Sequence, residues 1–242
     1  MEIIRDEEFQ KEILAKIAVR EFSERTGIHG SDLIYCLNKQ AIRKLCPKPS
    51  TEREVLLFSL GWATQRWLTG KDEDEPEVEV DGIKVTPDAR WKDGLYWELK
   101  CTFQSSAKPI EENIHWLRQL MSQCYVTKTT EIRLSRLELM GTWKSIFGKK
   151  EEKSLPENEK PTLNAYRITF TQEELDRHWE WMKQRRDLYK GVLEKRLLLP
   201  KLSALAPGML WECDFCERKC SEREYANLGD CLPAIDSSAG GK

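Results

Sequence analysis

Apolar residues recur at helical spacing through the first third of the chain. Over residues 4–25 they fall at Phe9, Ile13, Ile17, Val19 and Phe22, with charged flanks, and Gly27 and Gly30 break the pattern. Ser31-Asp32 can cap a second helix carrying Leu33, Ile34, Cys36, Ile42 and Leu45, which stops at Pro47. A third runs from Thr51 through Val55, Leu56, Phe58, Leu60, Trp62 and Trp67 to Gly70 and the acidic run KDEDEPE, which reads as a solvated loop. The period then shifts to two. Short strands are predicted over 78–80 and 83–86, joined at Asp81-Gly82, and in two arms flanking Asp93-Gly94.

Helical spacing returns over residues 111–128, with Ile114, Leu117, Leu120, Met121 and Cys124 on the apolar side. Residues 132–139 and 165–170 read as strands, separated by the polar stretch GKKEEKSLPENEKPT (148–162), a surface loop or insert. Thr171-Gln172-Glu173-Glu174 is a capping box opening a long helix that Pro200 closes. The order predicts a mixed α/β fold with an antiparallel hairpin at its centre. One domain is expected over residues 1–235, with its core over 50–170, and a disordered tail over 236–242.

The hairpin PDARWKDGLYWELK, residues 87–100, carries the densest pattern. Side chains alternate across a strand, so Asp88, Arg90, Lys92, Tyr96, Glu98 and Lys100 share one face. Ala89, Trp91, Leu95, Trp97, Leu99 and Cys101 share the other, which predicts one solvated and one core-facing side. Turn length decides whether the two acids meet. A two-residue Asp93-Gly94 turn pairs Asp88 with Leu99; a three-residue loop, Lys92-Asp93-Gly94 with Gly94 left-handed, pairs Asp88 with Glu98. Only the second keeps the faces matched on both arms, because a one-residue slip inverts every side chain.

At 242 residues and 40% apolar content the chain can bury a sizeable core. A net charge of −2 gives no global nucleic-acid signature, so any basic surface is local; Lys39, Arg43, Lys44, Lys48 and Arg53 form either a solvated face or a phosphate-contacting patch. No apolar run approaches the roughly 18 residues of a membrane span. The start, MEIIRDEEFQKE, is too acidic for a signal peptide, so the expected location is cytoplasmic. Eight cysteines in a reducing compartment point to metal ligation or buried thiols.

Asp-x9-Glu-x-Lys on a bent hairpin suits metal-dependent phosphodiester hydrolysis. Asp88 and Glu98 would hold Mg²⁺ or Mn²⁺, hard ions that prefer oxygen. A bound ion lowers the pKa of water and offsets charge on the attacked phosphate, and Lys100 beside it would position or deprotonate that water or stabilise the phosphorane. An ordinary cross-strand salt bridge is the competing account. With these residues the core resembles the PD-(D/E)xK nuclease superfamily, and the surrounding order resembles its RecB-like branch. The resemblance implies a restriction-endonuclease-like core in which Asp88, Glu98 and Lys100 are catalytic and the Leu99 carbonyl completes the metal shell. It also implies a glutamine motif on the following helix, which RQLMSQCY meets in part with Gln119, and a histidine ligand upstream, where Gly61-Trp-Ala-Thr-Gln65 puts Gln65 instead. Glutamine offers only a neutral carbonyl oxygen there. His115, at the start of the glutamine-motif helix, reads as a surface or DNA-facing residue.

Near the other end, Cys213-x2-Cys216-x3-Cys220, followed by Cys231, has the density of a zinc or iron–sulfur site. Within the RecB-like branch, CRISPR-associated exonucleases and viral relatives hold a [4Fe–4S] cluster with one early cysteine and three late ones. SDLIYCLNK, with Ser31, Leu33, Cys36 and Lys39, resembles the early segment. The implied ligands are Cys36, Cys213, Cys216 and Cys220, with Cys231 the alternative to Cys220, Cys46 a further choice, and zinc the alternative to the cluster. The cluster-binding parts are then residues 28–48 and 205–232. Cys101 and Cys124 fall on apolar faces and read as core thiols. The resemblance further implies an exonuclease acting on single-stranded DNA or frayed duplex ends, alongside CRISPR adaptation or phage recombination proteins in antiviral defence or mobile-element DNA processing, with no membrane partner. Tyr96, Trp97 and Trp116 are candidate platforms for unpaired bases. A catalytically weak, cysteine-stapled DNA-binding adaptor is the rival reading.

Overall fold

The computed structural model describes residues 7–21, 26–70, 75–102, 109–139, 162–195, 198–214 and 216. Cys220, Cys231, the tail over 236–242 and nearly all of the polar stretch over 148–162 lie outside the described residues. The chain opens with α1 (Glu7–Glu21), α2 (Gly30–Ile34), α3 (Leu37–Leu45) and α4 (Glu52–Thr69). Thr51 caps α4 as a reciprocal box: its hydroxyl accepts from the Glu54 amide and the Glu54 carboxylate accepts from the Thr51 amide. Gly70 ends the helix at φ +67°, a left-handed position that suits glycine.

The single helix expected from Ser31 to Leu45 is instead two, broken at Tyr35-Cys36. The Tyr35 carbonyl accepts from Arg185 at 2.7 Å, and the Cys36 amide donates to Glu212 at 3.0 Å. Both groups are satisfied by partners remote in sequence, so the intrahelical bonds can be given up. The cap also moves: Asp32 accepts from the His29 amide at 2.9 Å, making His29 the N-cap rather than Ser31.

β1 (Val78–Val80) and β2 (Ile83–Val85) form a separate antiparallel pair. The main sheet has the order β3-β4-β5-β6, from Ala89–Arg90, Tyr96–Thr102, Glu131–Glu138 and Thr162–Thr169. Its outer pairs are antiparallel and β4–β5 is parallel. A parallel pair needs a crossover, supplied by α5 (Ile114–Thr127). β6 starts three residues before the expected 165, inside the stretch read as polar loop. Its alternating half-buried and exposed residues fit an edge strand.

α4 covers one face of β4, where Thr64 meets Cys101, and α5 covers the other. α6 (Gln172–Lys195), opened by the Thr171–Glu174 box, packs behind α5 with α2, α3 and β2. α5 therefore has apolar residues on two sides. Trp116, Leu120 and Cys124 meet Ile132 and Leu134 of the sheet, while Val126 joins Leu33, Ile83, Trp179 and Met182. The short helix α7 (Lys201–Ala204) and a 3-10 turn over Leu210–Cys213 bring the late segment against Cys36. Among the described residues no helix is long and apolar enough to cross a membrane.

Candidate active site

The hairpin closes with the three-residue loop. Ala89 pairs with Trp97 and Arg90 with Tyr96, and one step further this register sets Asp88 opposite Glu98. The Trp91 amide donates to Leu95 and the Gly94 amide back to Trp91, with Gly94 at φ +87°. β3 begins at Ala89, and just before it the Asp88 carboxylate takes the place of a ladder acceptor, receiving the Leu99 amide at 2.7 Å. In an antiparallel strand the amide and carbonyl of one residue point to the same edge. The Leu99 carbonyl therefore faces the gap that Asp88 borders.

Both faces of β4 are covered. The face read as solvated is the one beneath α5: Glu98 is 1% exposed. The Lys100 ammonium donates to one Glu98 oxygen and, at 2.7 Å, to Gln119. Gln123 donates to the other Glu98 oxygen at 2.5 Å. α5 presents Gln119 and Gln123 one turn apart, the spacing that puts both on one side. Gln123, which interrupts the expected motif, is thus a site residue that the motif alone missed. Burial pulls the Lys100 pKa down, but Glu98, Asp88 and Tyr35 outweigh it and hold the ammonium above its ordinary value. The Gln65 amide donates from α4 to the Asp88 backbone carbonyl at 3.5 Å, which sets it beside the first acid.

Two further groups escaped the sequence reading. Tyr35 lies close enough to the site for its charges to act on it: burial, opposed by Lys100 and reinforced by Glu212 and Glu98, pushes its phenol up. Arg136 stands beside Lys100 in the β4–β5 register, buried and ion-paired with Glu138. Alternation along β5 is the signal that could have found it. The candidate base platforms fare differently. Trp116 is buried, Tyr96 lies under the Arg90 guanidinium, and Trp97 is half-buried, donating to Ser135 at 2.7 Å and edge-on to Trp91. His115 is half-buried among the rings of Tyr35, Trp116 and Trp211, 5.5–5.9 Å between centroids, rather than on an open surface.

The structure buries Cys36 with Ala204 and Leu205 and packs the half-buried Cys213 against that group. Cys36, Cys46 and Cys216 line a common cavity of about 460 Å³. Among the described residues no three His, Cys, Asp or Glu side chains converge closely enough to hold a metal ion. The early and late segments are instead joined by protein groups. Arg185 donates to the carbonyls of Leu33, Tyr35, Ala204 and Leu205, and Asn38 exchanges two bonds with Leu199 at 2.8 and 2.9 Å. Cys124 is a core thiol, pushed by burial up to about 11. Cys101 is half-buried and accepts from Thr64 at 3.6 Å.

No family model matches this chain, and no curated protein matches it by sequence. Among solved structures, the crystal structure of SSO0001 is similar with a TM-score of 0.51 and 16% identity, over 88% of this chain and 94% of that one. A phage-related exonuclease from Haemophilus somnus 129PT scores 0.46 at 10% identity, over 72% of this chain and 97% of that one. The alkaline exonuclease LHK-Exo from Laribacter hongkongensis scores 0.43 at 13% identity, over 76% and 95%. The likeness to SSO0001 is one of fold: a mixed sheet flanked by helices.

Proposed function

We propose that the chain is a divalent-metal-dependent DNA nuclease, acting from the ends of single-stranded or frayed DNA. The observation that carries this reading is the meeting of Asp88 and Glu98 across the hairpin, with Lys100 on Glu98. The residues fit a cation. Two carboxylates border one gap, and the Lys100 ammonium already lies against Glu98 within reach of the charge of Asp88. Asp88, Glu98 and the Leu99 carbonyl would hold Mg²⁺ or Mn²⁺, with Gln65 a weak fourth donor. The ion supplies a water of lowered pKa and offsets charge on the phosphate. Lys100 would orient the attacking water or stabilise the phosphorane, while Gln119 fixes the ammonium and Gln123 fixes the Glu98 carboxylate.

We further propose that Cys36, Cys213, Cys216 and either Cys220 or Cys231 hold a structural [4Fe–4S] cluster, with zinc the alternative. The cavity that Cys36 shares with Cys216, and the packing of Cys213 against the buried group that holds Cys36, support a cofactor there. A setting in CRISPR adaptation or phage DNA processing rests on the sequence resemblance alone. The test is degradation of end-labelled single-stranded DNA with Mn²⁺ or Mg²⁺ by protein purified without oxygen. Glu98→Ala and Lys100→Ala should each abolish it while leaving the visible absorbance unchanged. Full activity in either variant contradicts the mechanism; a colourless active protein replaces iron with zinc.

A further inference from the structure

The cavity at the cysteines has a second lining that the proposed cofactor leaves unused. Lys39 and Arg43, one turn apart on α3, border it together with Lys48, and Phe58 closes it from α4. Cys36 is buried and Cys46 and Cys216 are half-buried while Arg43, Lys48 and Phe58 are exposed, so the thiols lie deeper and the cations and ring at the rim. The structure sorts the basic run: Lys44 turns away to the Gly27 carbonyl, and Arg53 does not line the cavity. Phe58 is 51% exposed and is backed by Trp62 at 6.2 Å between ring centroids. One carboxylate, Glu54, shares the lining. Bonds from Thr51, then the charges of Arg43 and Lys39, hold its pKa below the ordinary carboxylate range, so it stays an anion among the cations.

We propose that this rim binds single-stranded DNA, with phosphates on Lys39, Arg43 and Lys48 and an unpaired base on Phe58. The inference rests on the nuclease reading and gives it a substrate path. The rim lies above the cysteines assigned to the cofactor, and the cavity of about 460 Å³ as a whole is far too small to admit a duplex. A solvent-exposed aromatic ring beside several cations is an arrangement that takes unpaired bases without regard to sequence.

The experiment measures binding of fluorescent oligo-dT to the full-length protein in EDTA, so that cutting plays no part. Arg43→Gln with Lys48→Gln, both at exposed positions, should weaken binding at least about tenfold and lower the log–log salt slope by about 1.4. Phe58→Ala should cost about tenfold on oligo-dT and little on an abasic strand of equal length. Glu54→Gln, which keeps an amide able to cap α4, should tighten binding a few-fold. Wild-type affinity and salt slope in the double variant would overturn the proposal. An active nuclease with unchanged binding in these variants defeats this path alone, whereas a wild-type protein that neither binds nor cuts DNA defeats the nuclease reading itself.

Discussion

The two ends of the molecule use buried charge in opposite ways. At the hairpin, Glu98 and Lys100 are satisfied by each other and by two glutamines from one neighbouring helix. All of these contacts are side chain to side chain, and none holds distant parts of the backbone together. At the cysteine end a single buried arginine, Arg185, donates to four backbone carbonyls from segments that lie 19 to 152 residues away. Burial first, then the nearby Arg118, brings its pKa down to about 10, so it remains a cation at neutral pH. The first arrangement concentrates charge where the proposed chemistry would need it and adds little to the frame. The second builds the frame and leaves the chemistry alone.

This contrast predicts where stability and activity separate. Arg185→Met leaves four buried carbonyls without their donor. At about 1 kcal/mol or more for each unsatisfied group, it should cost roughly 4 kcal/mol and lower the melting temperature by about ten degrees. Calorimetry checks it, and a melting point within two degrees of wild type would remove the frame role.

A somewhat smaller effect is expected from acid. His178, on α6, bonds Ser122 of α5 at 2.9 Å. Burial, then the charge of Arg118, lowers its pKa to about 4. In the unfolded chain it titrates near 6.5, so its contribution is complete above that pH and is lost as pH falls towards 4. About 3 kcal/mol should disappear across that window, and His178→Asn should flatten the dependence. An unchanged pH profile in the variant would assign the acid sensitivity elsewhere.

Asn38→Ala removes both bonds to Leu199 and should cost about 2 kcal/mol. The double change Glu98→Gln with Lys100→Met should be close to neutral, or stabilising by about 1 kcal/mol, because isosteric removal of a buried ion pair seldom hurts. Urea titration compares the two. If the hairpin double variant loses as much as Arg185→Met, the division between frame and site fails.

The same contrast explains how much the sequence disclosed. The register of the hairpin was legible because the turn, Gly94 and the alternation of residues 87–100 are local and agree. The burial of its polar face was not, since only the arrival of Gln119 and Gln123 from α5 makes a buried Glu98 tolerable. The interruption at Tyr35-Cys36 was illegible for a related reason: its partners Arg185 and Glu212 stand 150 and 176 residues on, and nothing nearby in the chain announces them. The resemblance assigns Cys36 and Cys213 to one ligand set, and the fold packs the half-buried Cys213 against the buried group that holds Cys36. Cys46, kept as a remote choice, turns out to share the cavity with Cys36 and Cys216, which no local pattern could indicate.

The central claim is that Asp88 and Glu98 form a single cation site on the hairpin. Manganese binding followed by electron paramagnetic resonance, on the wild-type protein and on Asp88→Asn, tests it without reliance on any substrate. The account predicts that the wild type takes up Mn²⁺ and that Asp88→Asn, folded as judged by its melting temperature, loses at least about 1.4 kcal/mol of that affinity, a factor of ten. Equal Mn²⁺ binding by the two proteins would contradict it.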